Sequence, residues 1–191
     1  MHLGSLGFLA LAAVIVNAQE LDLPWGSSKR LASPDGSKIL YGVPYQKGRN
    51  DSPQLWIEDT RTRRRTKLFD IPSTLSAGWS ADGAAFYVND HEGSDGELAY
   101  IYDAATLKRI DIAARIQAAD PGSRRLATGH AYFRVTGWEG TQQMAVSFFG
   151  HTDQQPVLCF TLRYRINKAG VVKKLSQRVT PATATSCDES P

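Results

Sequence analysis

The sequence predicts an all-β fold built from repeated antiparallel units, and three observations predict it. Ser33-Pro34-Asp35-Gly36 stands directly ahead of Ser37-Lys38-Ile39-Leu40-Tyr41, and Ser80-Ala81-Asp82-Gly83 stands directly ahead of Ala84-Ala85-Phe86-Tyr87-Val88. Each copy sets an Asp-Gly turn before an aromatic and β-branched run, the signature of a hairpin entering a strand. Leu158 to Ile166 alternates apolar with polar at the strand period, then passes through Asn167-Lys168-Ala169-Gly170 into Val171 to Leu175, a hairpin signal. Between such runs lie polar loops rich in Gly, Asn, Asp and Pro, of which Pro44 to Pro53 is the longest.

The chain begins with an apolar run, Leu6 to Val16, followed by Val16-Asn17-Ala18. The run is too short to span a bilayer, and the small-x-small ending fits a signal peptide over residues 1–18 with Gln19 as the mature start. No Lys or Arg precedes it, only His2, and no Cys follows it to carry a lipid. Export to the periplasm or the cell exterior is expected. With 191 residues and 42% hydrophobic content, the chain suits one domain with a real core. A net charge of +3 is too slight to point to nucleic acid.

Taken in order, Glu20 to Ser28 reads as a turn or strand whose Trp25 covers the edge of the first sheet. Ile39 to Val43, Gln54 to Glu58 and Arg64 to Phe69 read as strands, with Asp59 to Arg63 as the hairpin between the last two. Leu75 to Trp79, Ala85 to Asn89, Leu98 to Tyr102 and Leu107 to Ile112 repeat that order, with Asp103 to Thr106 in the place of Asp59 and a polar loop from His91 to Glu97. Asp111 to Ala119 has helical propensity and is expected to stop at Asp120-Pro121-Gly122, with Arg124-Arg125 in a polar connection. A third, degraded unit follows: a strand over His130 to Val135, a turn at Thr136 to Thr141, a strand over Gln143 to Phe149, a loop over Gly150 to Pro156, and the final hairpin. The units are placed at about 28–76, 77–112 and 130–177 of a domain over 19–178, with a polar tail at 179–191.

The Ser-x-Asp-Gly copies, each with a strand, a variable loop, a strand ending in Asp and a basic return strand, resemble the repeat of TolB-type β-propellers. The resemblance covers Lys29 to Ile112; from His130 to Leu175 it rests on strand order alone. It implies a β-propeller-like array of about three four-stranded antiparallel blades, and says little of function, because such folds host many. Closed propellers use four or more blades, so three outcomes stay open: closure by the chain's own termini, a homodimer completing the ring, or an open arc.

No Gly-x-Ser-x-Gly elbow and no His-Glu-x-x-His occurs, and His91, His130 and His151 are not at metal spacing. No catalytic constellation, cofactor or metal site is expected. The loop Asn89 to Glu97 has a calcium-like composition without a calcium-binding spacing, and reads as a solvated acidic loop. Arg61, Arg63, Arg65 and Lys67 would share one face on a strand period and could present a positive stripe to an anionic partner, although basic residues also protect sheet edges. His91 and His151 occupy equivalent loops of units two and three and could meet on one face. Cys159 and Cys187 pair most simply in a disulfide closing a loop of roughly 30 residues, for ~3 kcal/mol. A buried Cys159 thiol beside a free or intermolecular Cys187 stays open. Asn50-Asp51-Ser52 is a formal glycosylation acceptor. The expected role is a non-catalytic binding or assembly module with a protein partner. The alternatives are a small hydrolase or lyase at His91 and His151, or a carbohydrate-binding module using Trp25, Trp56, Trp79 and Trp138.

Overall fold

The two Asp-Gly turns of the repeat form the same structure, atom for atom. In the computed structural model, which describes residues 20–23, 27–48, 51–182 and 187, Asp35 Oδ1 accepts from the Ser33 hydroxyl and from the Ser37 N–H, while Ser33 Oγ accepts from the Lys38 N–H at 3.0 Å. Asp82 Oδ1 accepts likewise from the Ser80 hydroxyl and the Ala84 N–H, while Ser80 Oγ accepts from the Ala85 N–H at 3.0 Å. Both turns need a left-handed residue after the Asp, and Gly36 (φ 68°) and Gly83 (φ 67°) supply it. The second turn of each unit matches too. Thr62 and Thr106 each donate N–H and hydroxyl to the carboxylate of Asp59 and Asp103, and Arg63 (φ 61°) and Leu107 (φ 58°) take the left-handed place.

These turns build two groups of strands. β1 (Glu20–Leu23) is followed by β2 (Arg30–Ala32), β3 (Lys38–Val43), β4 (Gln54–Asp59) and β5 (Arg65–Asp70). β2 to β5 form a four-stranded antiparallel sheet in sequence order. β6 (Thr74–Trp79), β7 (Ala85–His91), β8 (Gly96–Asp103) and the short β9 (Arg109–Asp111) follow the same order in a second antiparallel array, and β6 spans the unit boundary expected at residue 76. After two helices come β10 (Ala131–Glu139), β11 (Gln143–His151), β12 (Leu158–Asn167) and β13 (Val172–Pro181). β8 divides its outer edge. Its first two residues pair in parallel with Ala131 and Tyr132 of β10, and Tyr100 to Tyr102 pair with β9. The second and third arrays therefore join in one nine-stranded sheet rather than standing as separate antiparallel units.

Alternation along the strands sorts two cores. Leu31, Leu40, Leu55 and Ile57 of the first sheet pack on Leu75, Trp79, Phe86, Val88 and Tyr102. Tyr87, Ala99 and Ile101, on the opposite face of β7 and β8, pack on Phe133, Val135, Met144, Phe148, Leu162 and Ile166. Each such side chain, fully buried, stabilises the fold by about 1.5–3 kcal/mol.

Several expectations are corrected. The turn or strand expected over Glu20 to Ser28 is a strand at Glu20–Leu23, and it pairs with β6, with Leu23 completely buried in the first core beside Leu75. The helix ends at Asp120 as expected, but the polar connection expected at Arg124-Arg125 is itself helical. α1 (Ile112–Ala119), capped by Asp111 accepting from the Ala114 N–H, is followed by α2 (Pro121–Leu126), where proline's fixed φ suits the first helical position. The turn expected at Thr136 to Thr141 is shorter and lies at residues 140–142, while Thr136 to Glu139 stay in β10, with a bulge at Gly137 (φ 148°) and Trp138 donating to the Gly78 carbonyl at 3.1 Å. Val179 to Pro181, placed in the tail, continue β13 against β12. The signal peptide, Trp25, Asn50 and residues 188–191 lie outside the described residues.

Candidate functional site

On β4, Leu55 and Ile57 point into the core, so Trp56 and Glu58 face the other way. Glu58 is nevertheless fully buried, because three guanidiniums cover it. Arg65, its cross-strand partner on β5, donates through Nε to Oε2 at 3.1 Å. Arg63 brings Nη1 to 3.2 Å from Oε1, and Arg30 of β2 brings Nη2 to 3.6 Å from Oε2 while lying 4.8 Å over the Tyr41 ring. The three arginine side chains remain 50%, 72% and 55% exposed for Arg30, Arg63 and Arg65. One carboxylate thus gathers three guanidiniums, hydrogen-bonded to Arg65 and within ion-pair distance of Arg63 and Arg30 although Oε1 accepts no hydrogen bond, and the cluster keeps two positive charges in excess.

The stripe expected along one strand is only partly formed. β5 begins at Arg65, and the carboxylate of Asp59 holds residues 59–63 in a tight turn, so strand alternation does not reach Arg61 or Arg63. Hydrogen bonds from Thr62 and the Lys38 ammonium keep that carboxylate well below its usual range. Arg63 joins the cluster through its left-handed backbone, Arg61 lies exposed in the turn, and Lys67 pairs instead with Asp70 at 2.8 Å. Glu58 and Arg30 were not singled out. The signal for Glu58 was a lone carboxylate alternating with Leu55 and Ile57 opposite a basic strand.

His91 and His151 are strand ends, not loop residues, and no contact joins them, whereas His130 lies in the bend before β10. His91 closes β7 with Nδ1 3.5 Å from Oε1 of the fully buried Glu97. Arg134 clamps the same carboxylate, its Nε donating to Oε1 at 3.1 Å and Oε2 at 2.9 Å, with its guanidinium over the Phe149 ring. His151 closes β11 and packs its ring on that of His130, centroid to centroid 4.4 Å, while His130 Nε2 lies 3.6 Å from Asp95. Ser94, the hydroxyl of that loop, donates to Asp95 and not to a histidine. Among the described residues, no three His, Cys, Asp or Glu side chains are placed to hold a metal ion. Asp90, next to His91, is buried with Oδ1 unbonded, and burial, reinforced by Glu92 and Glu97, pushes its carboxyl up to about 6.

The described indoles are structural. Trp79 is buried and donates to the Leu31 carbonyl at 3.2 Å, tying the first sheet to β6; Trp138 bonds Gly78, and Trp56 donates to the Gln54 side chain. None of the three is an exposed platform of the kind sugar stacking needs. Cys159 and Cys187 form a disulfide, with their Cα atoms 5.4 Å apart.

No family model matches this chain, and no curated protein matches it. Among solved structures it is similar to the acylaminoacyl peptidase of Pyrococcus horikoshii, at 12% identity and a TM-score of 0.46, over 82% of this chain and 25% of that one. It is also similar to TolB from Acinetobacter baumannii, at 14% identity and a TM-score of 0.36, over 83% of this chain and 44% of that one. The chain spans a quarter of the first protein's length and less than half of the second's.

Proposed function

We propose that the chain is an exported, non-catalytic binding module of propeller-like blades whose arginine face on the first sheet holds an acidic protein surface. The observation that carries the reading is the fixing of Arg30, Arg63 and Arg65 on the buried Glu58. Guanidiniums held in place by an internal carboxylate lose little conformational freedom when a partner's carboxylates arrive, and each has further N–H donors to offer. The disulfide fits an oxidising compartment, and none of the described helices is long and apolar enough to cross a membrane. The twice-repeated turn geometry supports blades as the building unit.

The test is binding of fluorescein-labelled polyglutamate to the mature, oxidised protein, followed by anisotropy at rising salt. Affinity that falls with salt, and falls about tenfold or more in the Arg63→Glu/Arg65→Glu variant, supports the reading. Equal affinity in wild type and variant would overturn it.

A further inference from the structure

Among the described residues, β13 is the last strand of the larger sheet and pairs with β12 alone, so its other edge offers a row of main-chain N–H and C=O groups. Residues 173–178 of this edge are all exposed. A long free edge is a template for an added strand unless its side chains forbid one. The side chains of β13 are selective rather than forbidding. Val172 and Val179, at the two ends, pack toward the core below with Gln177 and the Asp120-paired Lys174 between them, and the register places Lys173, Ser176 and Arg178 on the opposite face, beside Arg165, Arg163 and Thr161 of β12. Arg165 is already paired with Glu139, whereas Arg163, Lys173 and Arg178 have no carboxylate partner among the described residues. Neither β12 nor β13 contains an acidic residue.

Beside this basic row lies a groove of about 390 Å³, floored by Ala145 and Ser147 and walled by Glu139, Arg163 and Leu175. Leu175 and Val171, at 44% and 64% exposure, are two of the three exposed large hydrophobics among the described residues. The edge therefore combines unpaired backbone, uncompensated positive charge and bare apolar surface.

A second copy of the chain is a poor occupant. Antiparallel pairing of β13 with itself would gather Lys173, Lys174 and Arg178 of both copies without a carboxylate from either strand. Docking this face on the arginine face of another copy would set Arg163 and Arg178 against Arg30, Arg63 and Arg65, again like against like. We propose that β13 takes, as an added strand, an extended segment of a different polypeptide in which acidic and apolar residues alternate. Its acidic residues would lie beside Lys173, Arg178 and Arg163, and its apolar residues beside Val172 and Val179 on the core side. Strand alternation delivers both at once. The site is separate from the arginine face and stands whether or not that face binds.

The probe is a fluorescein-labelled peptide of about ten residues, alternating Glu and Val, titrated into the mature oxidised protein with hydrogen exchange measured in parallel. The expected result is binding that weakens with salt, slower exchange at 172–180 in the complex, and loss of about tenfold or more in affinity for Arg163→Glu/Arg178→Glu. The milder Arg163→Gln/Arg178→Gln variant should bind with intermediate affinity, and peptide bound only at the arginine face would leave 172–180 unprotected and overturn the proposal. No binding by the wild type overturns the proposal. If the Asp188→Asn/Glu189→Gln variant then does bind, the chain's own acidic end is the occupant. A dimer that protects 172–180 without peptide overturns it in favour of a second copy. Equal displacement by polyphosphate without exchange protection overturns it in favour of a general anion site.

Discussion

Asn89 serves Val135 as a neighbouring strand would: its Oδ1 accepts the Val135 N–H at 2.8 Å and its Nδ2 donates to the Val135 carbonyl at 3.0 Å. The same amide nitrogen donates to Ser76 Oγ at 3.1 Å, so one buried side chain joins β6, β7 and β10. The need arises because β10 pairs with β8 only at Ala131 and Tyr132, so Val135 has no strand partner on that edge. Asn89→Leu keeps the volume and strands both main-chain groups, and should destabilise the fold by about 2–4 kcal/mol in urea denaturation. A loss below about 0.5 kcal/mol would show that water or a shifted backbone replaces the amide.

Glu58 is the counter-ion of three guanidiniums, so its removal should lower stability and affinity together. Glu58→Gln leaves Arg30, Arg63 and Arg65 without their shared anion and should cost about 2–4 kcal/mol. The same change adds one positive charge to the face. At temperatures where the variant stays folded, polyglutamate should nevertheless bind more weakly than to wild type, because the guanidiniums lose the carboxylate that holds them for the partner. Tighter binding with a steeper salt dependence would mean that Glu58 balances the guanidiniums more than it aims them.

Asp90 predicts a pH dependence. Its carboxyl sits at about 6 in the fold against 3.8 when unperturbed, because burial and the neighbouring Glu92 and Glu97 disfavour the charge. Between those values the folded state holds a proton that the unfolded state has released, so this group lowers stability as pH rises through the window. The penalty is complete above about 6 and absent below about 3.8. Asp90→Asn, which cannot ionise, should therefore melt higher than wild type at pH 8, with the gap closing toward pH 4. A constant gap would assign the effect to packing.

Local chemistry was legible wherever it repeats. Asp35 and Asp82, or Asp59 and Asp103, announce their turns because each turn is closed by its own side chain, within a few residues of sequence. Long-range pairing was not legible. Nothing near Glu20–Leu23 states that β1 will lie on β6, since a four-residue strand is apolar enough for either edge and the burial of Leu23 decides between them. The arginine stripe was half right for the same reason. Alternation holds only while the chain is a strand, and the Asp59 turn suspends it until Arg65. Glu58 is not legible because a carboxylate in a strand reads as exposed, and only the approach of Arg65, Arg63 and Arg30 makes its burial tolerable.

The two copies of the Asp-Gly turn should not be equally important, although their internal bonds match. Asp35 serves its own turn alone, whereas Asp82 also receives Lys168 Nζ, from the β12–β13 turn, at 2.7 Å from both carboxylate oxygens. Although partial burial works against it, Lys168 and Ser80 bring the Asp82 carboxyl down to about 2. Asp35→Ala should cost about 1 kcal/mol, the value of one capped turn, and Asp82→Ala roughly 1 kcal/mol more, because it also frees the hairpin that Lys168 ties down. Lys168→Met in an Asp82→Ala background should then cost almost nothing, while in the wild type it should by itself cost most of that difference. A depressed carboxylate stabilises the fold above its unperturbed value and loses that contribution as pH falls through its folded one, so the gap between the two Ala variants should shrink below about pH 3.8 and vanish near 2. Equal losses for Asp35→Ala and Asp82→Ala at neutral pH would mean that the Lys168 contact, partly open to solvent, contributes nothing to stability.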